Sequence, residues 1–285
     1  MHSMQGLKRQ SSKVIDRFHL DCYHLLKIKS SSKFLRKEWE GKMKLFGLMI
    51  AVVFSLALAF YQPSFGEVKL LQTLEQQIQP GITALLIIDM QNDYVADAGK
   101  VGKLGMDVKK IQEAVPTMNR LIDEARKAGV MVVWIRQTHS MRDALPNYLA
   151  SNVARKKSGP FKEEDFLVQE GSWGAEYFEK MISRLPGEME VIKHTYGGFT
   201  NTKLDTLLKT KGIQTIITIG CLTNVCVSST AMQGWFQGYY SIIPSDASST
   251  NDTALHEATL KNHSIFFGYI PKTEEIVSIW KKAAK

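Results

Sequence analysis

Short apolar segments alternate with helical patterns from residue 84 onward, and this alternation constrains the fold more than any other feature. The apolar, β-rich segments are Ala84–Ile88, Val130–Ile135, Glu190–Ile192, Thr215–Ile219, Tyr239–Ile243 and Ser264–Phe267. Their near-continuous apolar character is typical of parallel strands that are buried on both faces. We therefore predict a three-layer, Rossmann-like α/β/α sandwich around a mainly parallel six-stranded sheet.

The segments between the predicted strands carry helix signals. An apolar stripe at the spacing i, i+3, i+4 and i+7 comprises Met118, Leu121, Ile122 and Ala125. Pro116 suits the first turn of that helix, and Gly129 suits its end. Thr202 and Asp205 have the spacing of a capping box at the start of another helix. A further helix is predicted over Val225–Gln237.

The charge of the chain is concentrated near its N-terminus. Residues 1–44 carry 11 Lys/Arg and 4 Asp/Glu, which leaves 25 basic and 24 acidic side chains for the other residues. A nearly neutral body lacks the electrostatic footprint of a nucleic-acid-binding protein, so we expect no nucleic-acid partner. We expect residues 1–42 to be a non-native or disordered basic extension that precedes a start at Met43.

Residues 43–66 are predicted to be a signal peptide. A basic flank precedes the uncharged run Leu45–Phe60, and the small residues Ser64 and Gly66 occupy positions −3 and −1 of a cleavage site. This predicts an exported protein, periplasmic or secreted, that meets a membrane only through this segment. The folded domain would then comprise residues 67–285. The alternative is an uncleaved membrane anchor formed by residues 45–60.

Ionisable side chains follow three of the predicted strands. Asp89 and Lys193 come directly after strands, and Cys226 follows a short turn at the predicted start of a helix. Because sites in such sheets lie at the carboxyl ends of the strands, we expect these side chains to converge. A helix N-terminus also lowers the pKa of a thiol. Taken singly, the three residues could equally be a turn cap, a solvated lysine and an inert buried cysteine.

Four segments carry a resemblance to a known family. IIDMQNDY, EGSWGAE, KHTYGGFTNTKLDTLL and GCLTNVCVSST resemble the successive signatures of the isochorismatase-like hydrolases, in order and spacing, over roughly Ala84–Ile270. Within that superfamily the chain is most similar to ureidoacrylate-type amidohydrolases. It departs from the usual cysteine motif at Cys221 and Leu222, and Leu222 would narrow the pocket.

The resemblance implies a cysteine hydrolase that cleaves a C–N bond of a small amide or ureido substrate through a thioester. Asp89 would be the general base, Cys226 the nucleophile, and Lys193 would support both. The resemblance also implies a cis peptide bond between Cys221 and Leu222. The backbone N–H groups of Leu222 and Cys226 would form the oxyanion hole.

Several side chains are candidates for the substrate pocket, namely Gln91, Trp173, Tyr196, Phe199 and Asn224; for each aromatic residue, core packing is the alternative. We expect no cofactor and no metal, because His139 lacks the partner ligands of the related nicotinamidases. A vinyl-ether hydrolase of the isochorismatase type and a catalytically silent pocket protein remain as alternatives. A homo-oligomer is also compatible with the sequence.

Overall fold

The computed structural model describes residues 42–47, 49, 70–156 and 158–283. The chain divides into two units, residues 1–69 and 70–285. In the first unit the described residues are helical, and the predicted extension and signal peptide otherwise lie outside the described residues. None of the helices in the described ranges is both long and apolar enough to cross a membrane.

The second unit alternates strands and helices. Its strands are β1 (Thr83–Ile88), β2 (Met131–Gln137), β3 (Met189–Lys193), β4 (Thr215–Cys221), β5 (Tyr240–Ile242) and β6 (Ser248–Ser249). Its α-helices are α1 (Leu74–Gln77), α2 (Asn92–Val95), α3 (Lys100–Lys103), α4 (Lys109–Lys127), α5 (Pro146–Arg155), α6 (Leu204–Thr210), α7 (Ser228–Phe236), α8 (Thr253–Phe266) and α9 (Thr273–Ala283). Three 3₁₀ turns, at Pro80–Ile82, Glu163–Asp165 and Trp173–Ala175, lie between them.

The strands form a parallel sheet in the order β3-β2-β1-β4-β5, and β6 pairs with the end of β4. Every residue of β1 is buried. Leu85 and Ile87 pack in one apolar cluster, whereas Leu86 and Ile88 pack in a second cluster. Because successive strand residues point to opposite faces, both faces of the sheet are covered. The predicted three-layer α/β/α sandwich with six strands is confirmed.

Two sequence-based assignments in the body are wrong. Residues 264–267 do not form a strand, because Ser264 to Phe266 belong to the last turn of α8, and the sixth strand is β6 instead. A short apolar run fits a helix as well as a strand. Pro116 lies inside α4, which begins at Lys109. The buried stripe extends towards the N-terminus through Ile111 and Val115, and this explains the earlier start.

The predicted capping box at Thr202 is also absent from the described structure. The Thr202 hydroxyl accepts a hydrogen bond from the Leu204 N–H, and Asp205 pairs with Lys209 and accepts from the Tyr239 hydroxyl instead. Asp205 lies within α6 itself, so its side chain reaches along the helix rather than back to the cap.

Candidate active site

A buried ion pair joins the ends of two strands. Lys193, the last residue of β3, donates a hydrogen bond of 2.7 Å from Nζ to Oδ2 of Asp89, and both side chains are at most 1% exposed. The Nζ group also donates to the Thr195 carbonyl at 3.0 Å. Isolated charges at this depth would be strongly destabilising. Each of the two charges therefore compensates the other, and this allows both side chains to be buried.

Asp89 occupies an unusual backbone position immediately after β1. Its φ angle is 51°, in the left-handed region that aspartate tolerates better than most residues. Its Oδ1 atom is buried and has no hydrogen-bond partner within the described residues. Burial raises the pKa of Asp89 above its ordinary value, and the charge of Lys193 only partly opposes this. Asp89 is thus a carboxylate with an increased affinity for a proton, and one of its oxygens is able to accept a further hydrogen bond.

Gln137, at the end of β2, links the charged pair to the cysteine. Its Oε1 atom accepts hydrogen bonds from Lys193 Nζ at 3.2 Å, from the Tyr94 hydroxyl at 3.1 Å and from Cys226 Sγ at 3.7 Å. Its Nε2 atom lies 2.6 Å from Nε2 of His139. Since an amide NH₂ group only donates, this His139 nitrogen is the acceptor and the ring is neutral. Burial agrees with that state, because it lowers the pKa of His139 to about 3.

Cys226 lies on a turn that follows β4. The Cys221–Leu222 peptide bond is cis, and a π-helical turn at Thr223–Val227 precedes α7. The Thr230 hydroxyl on α7 donates to the Cys226 carbonyl at 2.7 Å, which ties the turn to the helix. Cys226 therefore lies inside an irregular turn and not at the α-helix N-terminus that the sequence suggested.

The sequence-based expectation of a lowered thiol pKa is wrong. Burial raises the pKa of Cys226, the charge of Lys193 lowers it, and the Asp89 carboxylate raises it further; burial outweighs the lysine. The thiol is only 5% exposed. Cys226 is consequently a neutral thiol at rest, so any reaction through sulfur needs a base to remove its proton.

The neighbouring cysteine has a different environment. Cys221 is buried and its thiol donates to the backbone carbonyl of Asp89 at 3.2 Å. Both Cys221 and Cys226 are free thiols. Close packing of β1 against β4 depends on Gly220, because a Cβ atom there would lie 2.1 Å from the Ile88 carbonyl oxygen. This approach brings the end of β4 beside Asp89.

Two of the predicted pocket residues are held by the protein itself. The Gln91 amide donates to the carbonyls of Gln137 and Ala175 and accepts from the Gln137 N–H, so its hydrogen-bonding groups are engaged with backbone. The Asn224 carbonyl oxygen accepts from the Thr250 hydroxyl at 2.8 Å. The Gln91 amide thus holds the backbone beside the charged pair, and the Asn224 oxygen holds Thr250; contact of either residue with a substrate stays a prediction.

The three aromatic candidates lie in different surroundings. Tyr196 contacts the ring of Tyr148 edge to face, with ring centroids 5.7 Å apart, and Tyr148 stacks on His139 at 4.1 Å. Phe199 packs against Tyr239 beside the second apolar cluster, which matches the core-packing alternative. Trp173 lies on a 3₁₀ turn with half of its surface exposed. Of the three candidates, only Tyr196 is connected through ring contacts to His139, which lies beside Gln137.

His139 is enclosed by aromatic rings. Besides Tyr148, the ring of Phe166 lies 5.7 Å from His139 in a stacked arrangement. Within residues 42–47, 49, 70–156 and 158–283, no group of three or more His, Cys, Asp or Glu side chains is arranged to hold a metal ion. His139 instead orients the Gln137 amide through a hydrogen bond.

Sequence reasoning missed Gln137, Tyr94 and the orienting role of His139. The signal for Gln137 was available, because it ends a strand at the same sheet edge as Lys193, and the two residues are paired in register. From the sequence alone, His139 is a candidate for metal binding only. The same search applied to polar, uncharged residues at strand ends would have found Gln137.

Comparison with known proteins identifies the family of the domain. A profile of the isochorismatase domain matches residues 83–275. The ureidoacrylate amidohydrolase RutB of Acinetobacter baylyi is 28% identical over 212 residues, which cover 72% of this chain and 86% of that protein. The ureidoacrylate amidohydrolase RutB of an Enterobacter species is 30% identical over 198 residues, with 67% and 86% covered.

A solved structure shares the fold of this domain. A cysteine hydrolase from Pseudomonas syringae pv. phaseolicola superposes with a TM-score of 0.63 at 26% sequence identity. The match covers 76% of this chain and 99% of that one. The similarity therefore spans the whole of that structure and most of the second unit of this chain.

Proposed function

The chain belongs to the isochorismatase family, and from this premise we propose that it is a cysteine-dependent amidohydrolase that cleaves a C–N bond of a small amide or ureido substrate. The single observation that carries the proposal is the buried cluster at one sheet edge, in which Lys193 bonds to Asp89 and both Lys193 and Cys226 bond to Gln137 Oε1. A base, a cation and a thiol in one buried cluster are the components of nucleophilic catalysis through sulfur. The names of the amidohydrolase relatives support the C–N specificity.

The first step is removal of the thiol proton. The neutral Cys226 thiol needs a base, and the buried Asp89 carboxylate, whose Oδ1 atom has no hydrogen-bond partner within the described residues, interacts with the thiol. As the proton moves to Asp89, negative charge moves to sulfur, and the Lys193 ammonium stabilises that charge. The increased proton affinity of Asp89 favours this transfer.

The thiolate then attacks the carbonyl carbon of the substrate. A C–S bond forms, and the negative charge on oxygen is stabilised by the backbone N–H groups of Leu222 and Cys226. When the C–N bond breaks, Asp89 returns its proton to the departing nitrogen, which leaves as ammonia or an amine. The product of this half-reaction is a thioester on Cys226.

Water completes the cycle. Asp89 is again a carboxylate after the amine leaves, so it can accept a proton from water as the water oxygen attacks the thioester. The C–S bond breaks, the acid product leaves, and the proton on Asp89 returns to sulfur. Asp89 thus carries one proton in each half-reaction, and Lys193 keeps its charge throughout.

A panel of small amides and ureido compounds tests the proposal. We expect the full chain to release ammonia or an amine from at least one of them, and Cys226→Ala to release none. Cys221→Ala is the matched control, because Cys221 is also a buried free thiol but bonds only to a backbone carbonyl. Turnover that persists in Cys226→Ala would contradict the sulfur mechanism, and cleavage of a vinyl ether alone would favour the isochorismatase reaction.

We also propose that residues 43–66 direct export. Their basic flank and uncharged run support this. N-terminal sequencing of the protein recovered from cells should find Glu67 as the first residue. A chain that retains residues 45–60 in the membrane fraction would instead support the anchor.

A further inference from the structure

The turn that follows β4 has an unusual pattern of hydrogen bonds around Cys226. The Leu222 carbonyl accepts from the Val225 N–H at 3.1 Å and from the Val227 N–H at 3.2 Å. An α-helical turn would instead bond that carbonyl to the N–H group of Cys226, which lies between them. The wide π-helical turn at Thr223–Val227 therefore decides where the Cys226 N–H points. Single turns of this kind are frequent at functional sites.

Two side chains of this turn are tied to the C-terminal part of the chain. Oγ1 of Thr223, which is fully buried, lies 2.9 Å from Nδ1 of His256 on α8. Oδ1 of the next residue, Asn224, accepts a hydrogen bond of 2.8 Å from the Thr250 hydroxyl. Residue 250 directly follows β6, which pairs with the end of β4. The shape of the turn is thus fixed by contacts from outside it as well as by its own backbone.

The protonation state of His256 gives its hydrogen bond a direction. Burial lowers the pKa of His256 below its ordinary value, although a hydrogen bond to the Ser245 backbone and the charge of Glu257 oppose this. The ring is therefore neutral near pH 7, with one N–H donor and one acceptor nitrogen. Because the bond to Ser245 uses the N–H of the ring, Nδ1 is the acceptor for the Thr223 hydroxyl. Without His256, a buried hydroxyl in the turn would lose this acceptor, which is costly.

We propose that His256 is a positioning residue for the oxyanion hole. Through the Thr223 hydroxyl it holds the turn so that the N–H groups of Leu222 and Cys226 meet at the substrate oxygen. The inference rests on the proposed function, because these N–H groups stabilise an oxyanion only if Cys226 attacks a carbonyl carbon. His256 acts through the turn and not on the reacting atoms.

Two reagents that modify the same sulfur separate the oxyanion hole from the thiol. With p-nitrophenyl acetate a C–S bond forms, the C–O bond to p-nitrophenolate breaks, and negative charge develops on the carbonyl oxygen during the transfer. With iodoacetamide an S–CH₂ bond forms and iodide leaves, without charge on an oxygen. In both reactions the proton of Cys226 passes to Asp89. The ratio of the two rates, measured in the full chain with Cys221→Ala, therefore reports the stabilisation of the oxyanion.

His256→Gln and His256→Asn form a matched pair. The Gln side chain reaches the Nε2 position and keeps the bond to Ser245, but it withdraws the acceptor from Thr223. The shorter Asn side chain places its carbonyl oxygen near the Nδ1 position. We expect His256→Gln to lower the acylation rate at least about tenfold at an unchanged alkylation rate, because complete loss of one oxyanion donor costs about 10²–10³-fold. His256→Asn should restore most of the acylation rate.

Thr223→Val removes the other partner of the same hydrogen bond. It should slow acylation as much as His256→Gln does, and the double variant should be no slower than either single variant, because both remove one interaction. His263→Asn is the control on the same helix, because His263 also bonds to a backbone carbonyl, that of Ser241, at 3.1 Å. It should leave both rates unchanged. Circular dichroism of each variant verifies the fold.

The outcomes separate this proposal from the function on which it rests. Equal slowing of acylation and alkylation in His256→Gln and Thr223→Val would show a structural role only and would overturn the positioning role. Fast acylation that neither substitution slows would also overturn it, and would leave the proposed function intact. A chain that iodoacetamide labels at Cys226 but that p-nitrophenyl acetate does not acylate, with Cys221→Ala alone, would overturn both proposals.

Discussion

Two regions of this molecule depart from the usual separation of polar and apolar groups, and they do so in opposite directions. At the carboxyl edge of the sheet, Asp89 and Lys193 are charged and buried. On α8, Ile265 and Phe266 are apolar and exposed. Each departure is costly for a protein with no further role, since buried charges need partners and exposed apolar patches promote association.

The two regions differ in what compensates for the departure. The buried charges are compensated within the chain, by each other and by Gln137. On α8 the compensation is slight, because Ile265 is 60% exposed and Phe266, which contacts the ring of Phe267, is 63% exposed. A buried cluster of charges that compensate one another indicates a catalytic site, because pre-organised charges act on a bound molecule. The exposed apolar residues of α8 have no such compensation. The predictions that follow test each side of this contrast.

The largest effect should come from the sulfur atom. Cys226→Ala should reduce kcat by at least about 10⁴-fold on any substrate that the chain hydrolyses, because the covalent step is lost. The free energy of unfolding should change little, since the hydrogen bond from Sγ to Gln137 is long, at 3.7 Å, and alanine removes a single buried atom. Measured kinetics and denaturant unfolding on the same samples separate the two effects. A parallel loss of stability and activity would mean that Cys226 is structural.

The next effect concerns the buried charges. Lys193→Met leaves the Asp89 carboxylate buried without its cation, so it should lower the free energy of unfolding by about 3–5 kcal/mol. Replacing both residues, as Asp89→Leu with Lys193→Met, should recover much of that loss while activity stays absent. Lys209→Met removes an exposed ion pair with Asp205 and provides the control, with an expected change below about 0.5 kcal/mol.

If Lys193→Met lowered the free energy of unfolding as little as Lys209→Met, the buried charges would not differ from exposed ones. The contrast between the two regions would then fail at the sheet edge. Water would then reach the carboxyl edge of the sheet in the variant, and the Asp89–Lys193 ion pair would contribute little to the free energy of unfolding. Urea unfolding at one fixed pH is sufficient for this comparison.

A smaller effect should appear in the titration of Cys226. The Asp89 carboxylate raises the pKa of the thiol and Lys193 lowers it. Asp89→Asn removes the repelling charge and keeps the lysine, so the pKa of Cys226 should fall, by about one unit for a charge at this range. The rate of iodoacetamide labelling against pH measures it, in a Cys221→Ala background. Activity should nevertheless be lost, because the base is gone.

The sequence alone predicts a low thiol pKa, because it places Cys226 at the start of a helix. The structure places sulfur in a π-helical turn at 5% exposure, where burial decides the titration. An unchanged pKa in Asp89→Asn would show that the carboxylate and the thiol do not interact.

The sequence predicted the structure correctly where a pattern of residues is compatible with a single placement in the fold. Apolar runs predicted β1 and β4, and strand ends predicted Asp89 and Lys193, because parallel strands bring their ends to one edge. It failed where several placements suit the same residues. Ile265 and Phe266 are apolar in a strand or a helix alike, and Pro116 suits the first turn or the interior of a helix that extends further towards the N-terminus. Only the tertiary contacts decide such cases.

The smallest effect should come from Ile265 on the exposed face of α8, and a buried residue of the same helix provides the comparison. Leu260 is buried, so Leu260→Gln should lower the free energy of unfolding by about 3 kcal/mol at any protein concentration. Ile265 is 60% exposed, and Ile265→Gln should change it by less than about 0.5 kcal/mol in dilute protein. If Ile265→Gln destabilised the protein as much as Leu260→Gln, the exposed face of α8 would belong to the packed fold, and the contrast with the buried charges would fail.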